Sequence, residues 1–274
     1  MLYFSCLLLA VGNHLNNIVI PLRLNSHGVE TTWIGITMSA NSLGLILGCI
    51  MGRKLVGRIG FVRTFVLSCT IFTGVVLIYP LWVQTEFWII LRVIGGFCTA
   101  TAYLVVESWI NGSSSEQIRG RVLGSFFIIH YTGAALGQLL INLDGPDPSM
   151  IFTLSAIAIA FSAAPVAFSV APVPEEHNLE KISWKQLFNL SPVGLAGVLS
   201  AGLLFSATMS MGPIYGRKLD WSVQDISIFM AVMVLGSLLF QYPFGKASDA
   251  WDRRKMLAVV QLSGIAIVFL MWIY

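Results

Sequence analysis

Residues 53–63 read RKLVGRIGFVR, and residues 245–255 read GKASDAWDRRK. The two stretches lie 192 positions apart, and each follows a long apolar run. At that offset Arg63 aligns with Lys255, Gly57 with Asp249, and Pro21 with Pro213. Identity between the copies is low. One offset nevertheless aligns apolar edges, prolines and basic segments together, which is the mark of an internal repeat.

Working outward from these stretches, apolar spans fall at about 2–22, 32–51, 64–83, 87–108, 120–142, 150–170, 193–215, 224–244 and 256–274, each near the length needed to cross a hydrocarbon core. The composition agrees: 56% of the 274 residues are apolar and 11% charged, with a mean hydropathy of +0.81. Soluble domains carry about 25% charged residues. The alternating ten-residue segments of a membrane β-barrel are missing. The spacing therefore predicts an all-α polytopic membrane protein with about nine transmembrane helices. Segment 1–170 forms a six-helix amino-terminal bundle, 171–192 a cytoplasmic linker, and 193–274 an incomplete carboxy-terminal bundle of three helices. Within the linker, Ser183 to Asn189 fits a short surface helix, with Trp184 and Phe188 one turn apart. Two full copies at this spacing need 384 residues against the 274 present, so the sequence predicts truncation after the ninth helix.

Orientation follows the Lys/Arg bias. One set of connections holds Arg53, Lys54, Arg58, Arg63, Arg119, Arg121, Lys181, Lys185, Lys246, Arg253, Arg254 and Lys255; the other holds Arg23, Arg217 and Lys218. The first set is cytoplasmic, and so is the amino terminus. Cys6, Cys49, Cys69 and Cys98 stand alone in apolar stretches and read as packing residues.

Two spans carry polar residues that lipid does not tolerate idly. The first contains NHLNN at 13–17. On a helix, Asn16, Asn13, Asn17 and His14 project at about −60°, 0°, 40° and 100°, with Leu15 on the far side. In the fourth span Arg92, Gly96, Thr99, Tyr103 and Glu107 stay within about 80° of one another. A polar stripe that includes a guanidinium implies an aqueous cavity, and Arg92 is placed to grip an anionic group. Asn13, His14, Asn16, Asn17, Arg92, Thr99 and Tyr103 are the candidate solute-binding residues. The alternative for the asparagines is interhelical hydrogen bonding that holds the bundle together. His130, Tyr131 and Gln138 form a weaker polar set in the fifth span, with His130 as a packing residue or proton relay. Spans one to seven hold no Asp or Glu at mid-depth.

The chain resembles the major facilitator superfamily. GKASDAWDRRK fits that family's G-x-x-x-D-x-x-G-R-[RK]-[RK] loop signature through Gly245, Asp249, Arg253, Arg254 and Lys255, with Asp252 in place of the second glycine. The first copy is degraded: Arg53, Gly57 and Phe61 replace glycine, aspartate and arginine, while Gly60 and Arg63 survive beside an extra cation, Arg58. SSEQIRGRVLG at 114–124 and RVIGGFCTA at 92–100 resemble two further motifs of the family.

The resemblance implies a secondary active transporter in a bacterial inner membrane, with a small-molecule substrate bound between two bundles of that fold. Arg92 in the cavity points to an anionic or zwitterionic solute, with efflux of apolar drugs as the alternative, and protons are a candidate coupling ion. The resemblance also implies a cytoplasmic latch, to which Arg58, Arg63, Glu107, Gly245, Asp249, Arg253 and Arg254 are assigned. Glycine stripes at Gly44, Gly48 and Gly52 and at Gly133 and Gly137 would meet the family's eleventh and eighth helices. Two other readings are a transporter-like protein that senses a ligand or assists assembly, and an inactive remnant. Phosphate loops, zinc signatures and nucleophile contexts are missing, so neither catalysis, a metal nor a cofactor is expected. A basic, aromatic-interleaved surface for nucleic acid is missing too.

Overall fold

The computed structural model describes residues 1–112, 116–143, 149–168, 184–250, 255–256, 258–264 and 269. The described secondary structure is helical. The helices are α1 (Leu2–Ser26), α2 (Thr31–Ile59), α3 (Phe61–Ile78), α4 (Thr85–Gly112), α5 (Glu116–Leu140), α6 (Met150–Ala167), α7 (Trp184–Leu190), α8 (Pro192–Lys218) and α9 (Val223–Ala250). Short 3-10 turns, Tyr79–Leu81 and Ile141–Leu143, follow α3 and α5. Among the described residues eight helices are long and apolar enough to cross a membrane: α1 to α6, α8 and α9. The expected ninth span lies largely outside the described residues, although 258–264 within it are helical. The short helix expected in the linker is α7.

Several helices run further than their apolar content suggests. α1 continues through Pro21 to Ser26, and α8 continues through Pro213 to Lys218. The two prolines do not end their helices, as the spans at 2–22 and 193–215 implied. Each lies inside, five residues before the last helical position. Pro21 has no N–H, so the Asn17 carbonyl one turn earlier loses its helical donor. The basic stretch 53–63 is likewise not an extended loop. Residues 53–59 complete α2, and a single residue, Gly60, turns the chain into α3 with φ of 84°. Only glycine enters that region without steric cost. The Gly60 N–H donates to the Val56 carbonyl at 2.8 Å, closing the last turn. Arg53, Lys54, Arg58 and Arg63 are exposed on these helix ends. Charged side chains let a helix project beyond the hydrocarbon while its backbone bonds stay intact.

By contacts, the chain resolves into two compact units. One is Met1–His177 with Ala207–Leu235, and the other is Asn178–Ser206 with Gly236–Tyr274. In the first unit α2 packs on α4 most extensively, α1 packs on both α5 and α6, and α3 packs on α4 and α6. The glycine stripe of α2 explains its closest pairing. A Cβ on Gly44 would strike the Val93 carbonyl, one on Gly48 would lie 2.6 Å from the Phe97 carbonyl, and one on Gly96 would strike the Asn41 carbonyl. The two backbones touch because neither carries side chains there. Within the described residues the partner of this stripe is α4. Gly133 and Gly137 pack on α1, where added Cβ atoms would lie 2.7 and 2.5 Å from the Leu7 and Val11 carbonyls. An apolar core of Trp88, Tyr79 and Phe152 closes the α3, α4 and α6 side, with Tyr79 edge-on to Trp88 at 5.0 Å and stacked on Phe152 at 5.8 Å. In the second unit, Gln261 donates to Ser200 Oγ at 2.7 Å.

Gly96→Ala forces α2 from α4 and should destabilise the purified protein by about 1–3 kcal/mol, the range for overpacking. Gly74→Ala, where a Cβ meets open space, should leave the thermal unfolding midpoint unchanged. Equal midpoints for the two variants would contradict this packing.

Candidate functional site

α1 is gripped by α5 and α6 but touches α4 at only a few points. α4 in turn is held by α2 and α3. Asn17 of α1 and Arg92 of α4 reach across the space this leaves between them. The direct link is a hydrogen bond in which Arg92 Nη1 donates to Asn17 Oδ1 at 2.7 Å. The Tyr79 phenol lies against the same guanidinium. Arg92 is only 3% exposed, and its Nε has no partner. Among the described residues no carboxylate pairs with it.

A buried cation without an acid is costly, and the hydrogen bond to the Asn17 amide oxygen offsets only part of that cost. Asn16 Oδ1, Thr99 Oγ1 and Tyr103 Oη are also buried without partners. Each such atom costs about 1–3 kcal/mol. Tyr103 lies against His130 of α5, and Asn16 follows Gly12 by one turn on the α1 face that packs on α6. Asn16 and Thr99 are 1% and 4% exposed, while Asn13, His14, Asn17 and Tyr103 are half-buried. All seven candidates therefore belong to α1 and α4, and the structure joins them directly at Asn17 and Arg92.

Beside the seam between α1 and α4, His14 meets His130 of α5, whose ring lies 5.1 Å from that of Tyr103. Tyr79 and the ring role of His130 escaped the sequence reading. Tyr79 sits at the outer edge of its span, where a tyrosine is ordinary, and His130 differs from a packing residue only through what faces it.

The latch residues are placed differently. Glu107 is exposed near the end of α4, and Arg58 and Arg63 are exposed at the α2–α3 turn. Among the described residues no ion pair joins them. Gly245 and Asp249 fall in the last turns of α9, outside the residues whose side chains are described. Arg253 and Arg254 lie outside the described residues. The described residues contain no group of three or more His, Cys, Asp or Glu arranged to hold a metal ion.

The family model described as Major Facilitator Superfamily matches residues 2–274. An uncharacterized MFS-type transporter of Enterobacter sp. (strain 638) is 28% identical over 261 residues, covering 94% of this chain and 68% of that protein. The uncharacterized MFS-type transporter YcaD of Shigella flexneri is 27% identical over 274 residues, covering 98% and 72% respectively. A crystal structure of a D-xylose-proton symporter shares the fold with a TM-score of 0.66 at 15% identity, over 90% of this chain and 68% of that one.

Asn17→Ala removes the acceptor and leaves the guanidinium buried. It should lower stability by about 2 kcal/mol, as for hydrogen bonds to charged groups. The double variant Asn17→Ala/Arg92→Met should recover part of that loss in thermal unfolding. Additive losses in this cycle would show that the two side chains do not act as a pair.

Proposed function

The chain belongs to the major facilitator superfamily, and from that premise we propose that it is a secondary active transporter of a small anionic or zwitterionic solute. The carrying observation is Arg92, a buried guanidinium that faces Asn17 and Tyr79 but no carboxylate. Its unpartnered Nε leaves a donor for a ligand, and an anionic group there removes the cost of the isolated charge. Asn13, His14, Asn16, Asn17, Thr99 and Tyr103 supply donors and acceptors for the rest of the solute.

Transport proceeds by alternating access, with the repeats 1–170 and 193–274 moving about the bound solute and 171–192 joining them. The membrane is the bacterial inner membrane, with the amino terminus cytoplasmic by the Lys/Arg bias. Glu107 with Arg58 or Arg63, together with Gly245, Asp249, Arg253 and Arg254, forms a cytoplasmic latch in one state of that cycle. Protons are the candidate coupling ion.

The deciding assay is counterflow into liposomes across a set of radiolabelled small carboxylates and amino acids. Arg92→Gln should reduce counterflow of the accepted solute at least tenfold, and Asn13→Ala and Asn17→Ala should raise its half-saturation concentration. Full counterflow in Arg92→Gln would remove the anion site. Wild-type rates with Asn13, His14 and Asn17 all replaced by Ala would leave the α1 residues as bundle contacts alone. For the latch, exchanging Glu107 with Arg58 or with Arg63 should restore transport that the single charge reversals lose. Failure of both exchanges would eliminate the pairing.

A further inference from the structure

α2 has 29 residues, about 43 Å of helix against a hydrocarbon core about 30 Å thick. Its last turns therefore stand at the boundary between lipid and water. Gly44, Gly48 and Gly52 give one side of the helix to α4. The other side is uncovered. With Ile46 at zero, Leu43, Leu47 and Ile50 project at about 60°, 100° and 40°. Arg53, Lys54, Gly57 and Arg58 continue that face at about −20°, 80°, 20° and 120°, while the glycine stripe lies at about 160° to 240°. All of these face residues are exposed, Leu43, Ile46 and Ile50 by more than half.

Gly57 has no side chain, and Arg53, Lys54 and Arg58 surround the gap it leaves on the helix surface. Arg63, in the first turn of α3, adds a fourth exposed cation across the Gly60 turn. That turn is firmly held. The Thr64 Oγ1 and N–H both donate to the Gly60 carbonyl, at 2.7 and 3.1 Å, and Phe61 lies 6.4 Å from the Trp109 ring of α4. α2 and α3 contain no Asp or Glu. Among the described residues Glu107 of α4 pairs with none of these cations. Like charges gathered on one helix end repel, and a shared anion relieves the repulsion.

We infer that this face of α2 binds an anionic phospholipid, with its phosphate over Gly57 between Arg53, Lys54 and Arg58 and its acyl chains along Ile50, Ile46 and Leu43. A soluble anion would satisfy the cations and leave the apolar turns beside them uncovered; a lipid covers both. Clustered cations at a membrane surface attract anionic headgroups, and the attraction weakens with salt. The assignment does not rest on transport. Arg58 and Arg63 are also latch candidates, so a bound phosphate competes with Glu107 for them. Arg53 and Lys54 belong to the lipid contact alone, and they supply the test.

The experiment is native mass spectrometry of the full chain in detergent, titrated with phosphatidylglycerol or with phosphatidylcholine of the same acyl chains. The unmodified chain should bind phosphatidylglycerol more tightly by about tenfold or more, as expected of a cation cluster. Arg53→Gln/Lys54→Gln should erase that preference. Arg217→Gln/Lys218→Gln, which removes two cations from the last turn of α8, should keep it. Equal affinity of the unmodified chain for the two lipids, or a preference that survives Arg53→Gln/Lys54→Gln, overturns the inference. Displacement of the lipid by equimolar glycerol 3-phosphate also overturns it, since the cluster would then be a site for soluble phosphate. Should the double variant fold poorly by circular dichroism, a photoreactive phosphatidylglycerol on the unmodified chain decides. Its cross-links should map to residues 43–63, and cross-links confined to other segments overturn the inference. Counterflow enters none of these measurements, so failure here leaves the Arg92 site untouched. Loss of counterflow would equally leave the lipid site standing.

Discussion

Lipid offers no hydrogen-bond partner, and Arg92 therefore has to find one inside the protein. It does so across the gap between two helices that otherwise hardly pack, by donating to Asn17. Pro21 adds to the polarity at this point, because the Asn17 carbonyl has no helical donor. The residue that holds the guanidinium thus lies where the α1 backbone is itself incompletely bonded.

The remaining packing divides by chemistry. Where helices meet through glycine, as α2 meets α4 at Gly44, Gly48 and Gly96, the backbones touch and leave no room for a ligand. Where they meet through polar side chains, as α1 meets α4, the contact is sparse and several atoms remain unpartnered. Tight apolar or glycine-lined contacts on α2, α3, α5 and α6 hold the two polar helices from behind. They keep the seam from collapsing, since a collapse would break the contacts on those outer faces.

Much of this was legible in the sequence. Hydropathy located the eight described spans, because lipid enforces length and polarity in every span. The polar faces of α1 and α4 followed from helical projection, which depends only on the 3.6-residue period. What could not be read were features set by contact. Pro21 and Pro213 resemble helix ends, yet neighbouring helices hold the turns beyond them in place. The stripe at Gly44, Gly48 and Gly52 announces a close partner without naming it, and only the fold shows that Gly96 answers it. Tyr79 looks like an interfacial aromatic until it is found against Arg92. His130 is one of several polar residues on α5, and that its ring faces His14, over a hundred residues away, shows only in the fold.

Transport by way of Arg92 requires that water and solute reach the space between α1 and α4, as opposed to a dry contact there. Cysteine accessibility measures this most directly. In a background with Cys6, Cys49, Cys69 and Cys98 replaced, Asn13→Cys and Thr99→Cys are exposed separately, in sealed vesicles, to a small charged methanethiosulfonate reagent. Both should react, and the solute accepted in counterflow should slow the reaction, while a cysteine at Ile90, on the exposed apolar face of α4, should stay unmodified. Inertness of both seam cysteines from either side of the membrane would contradict it.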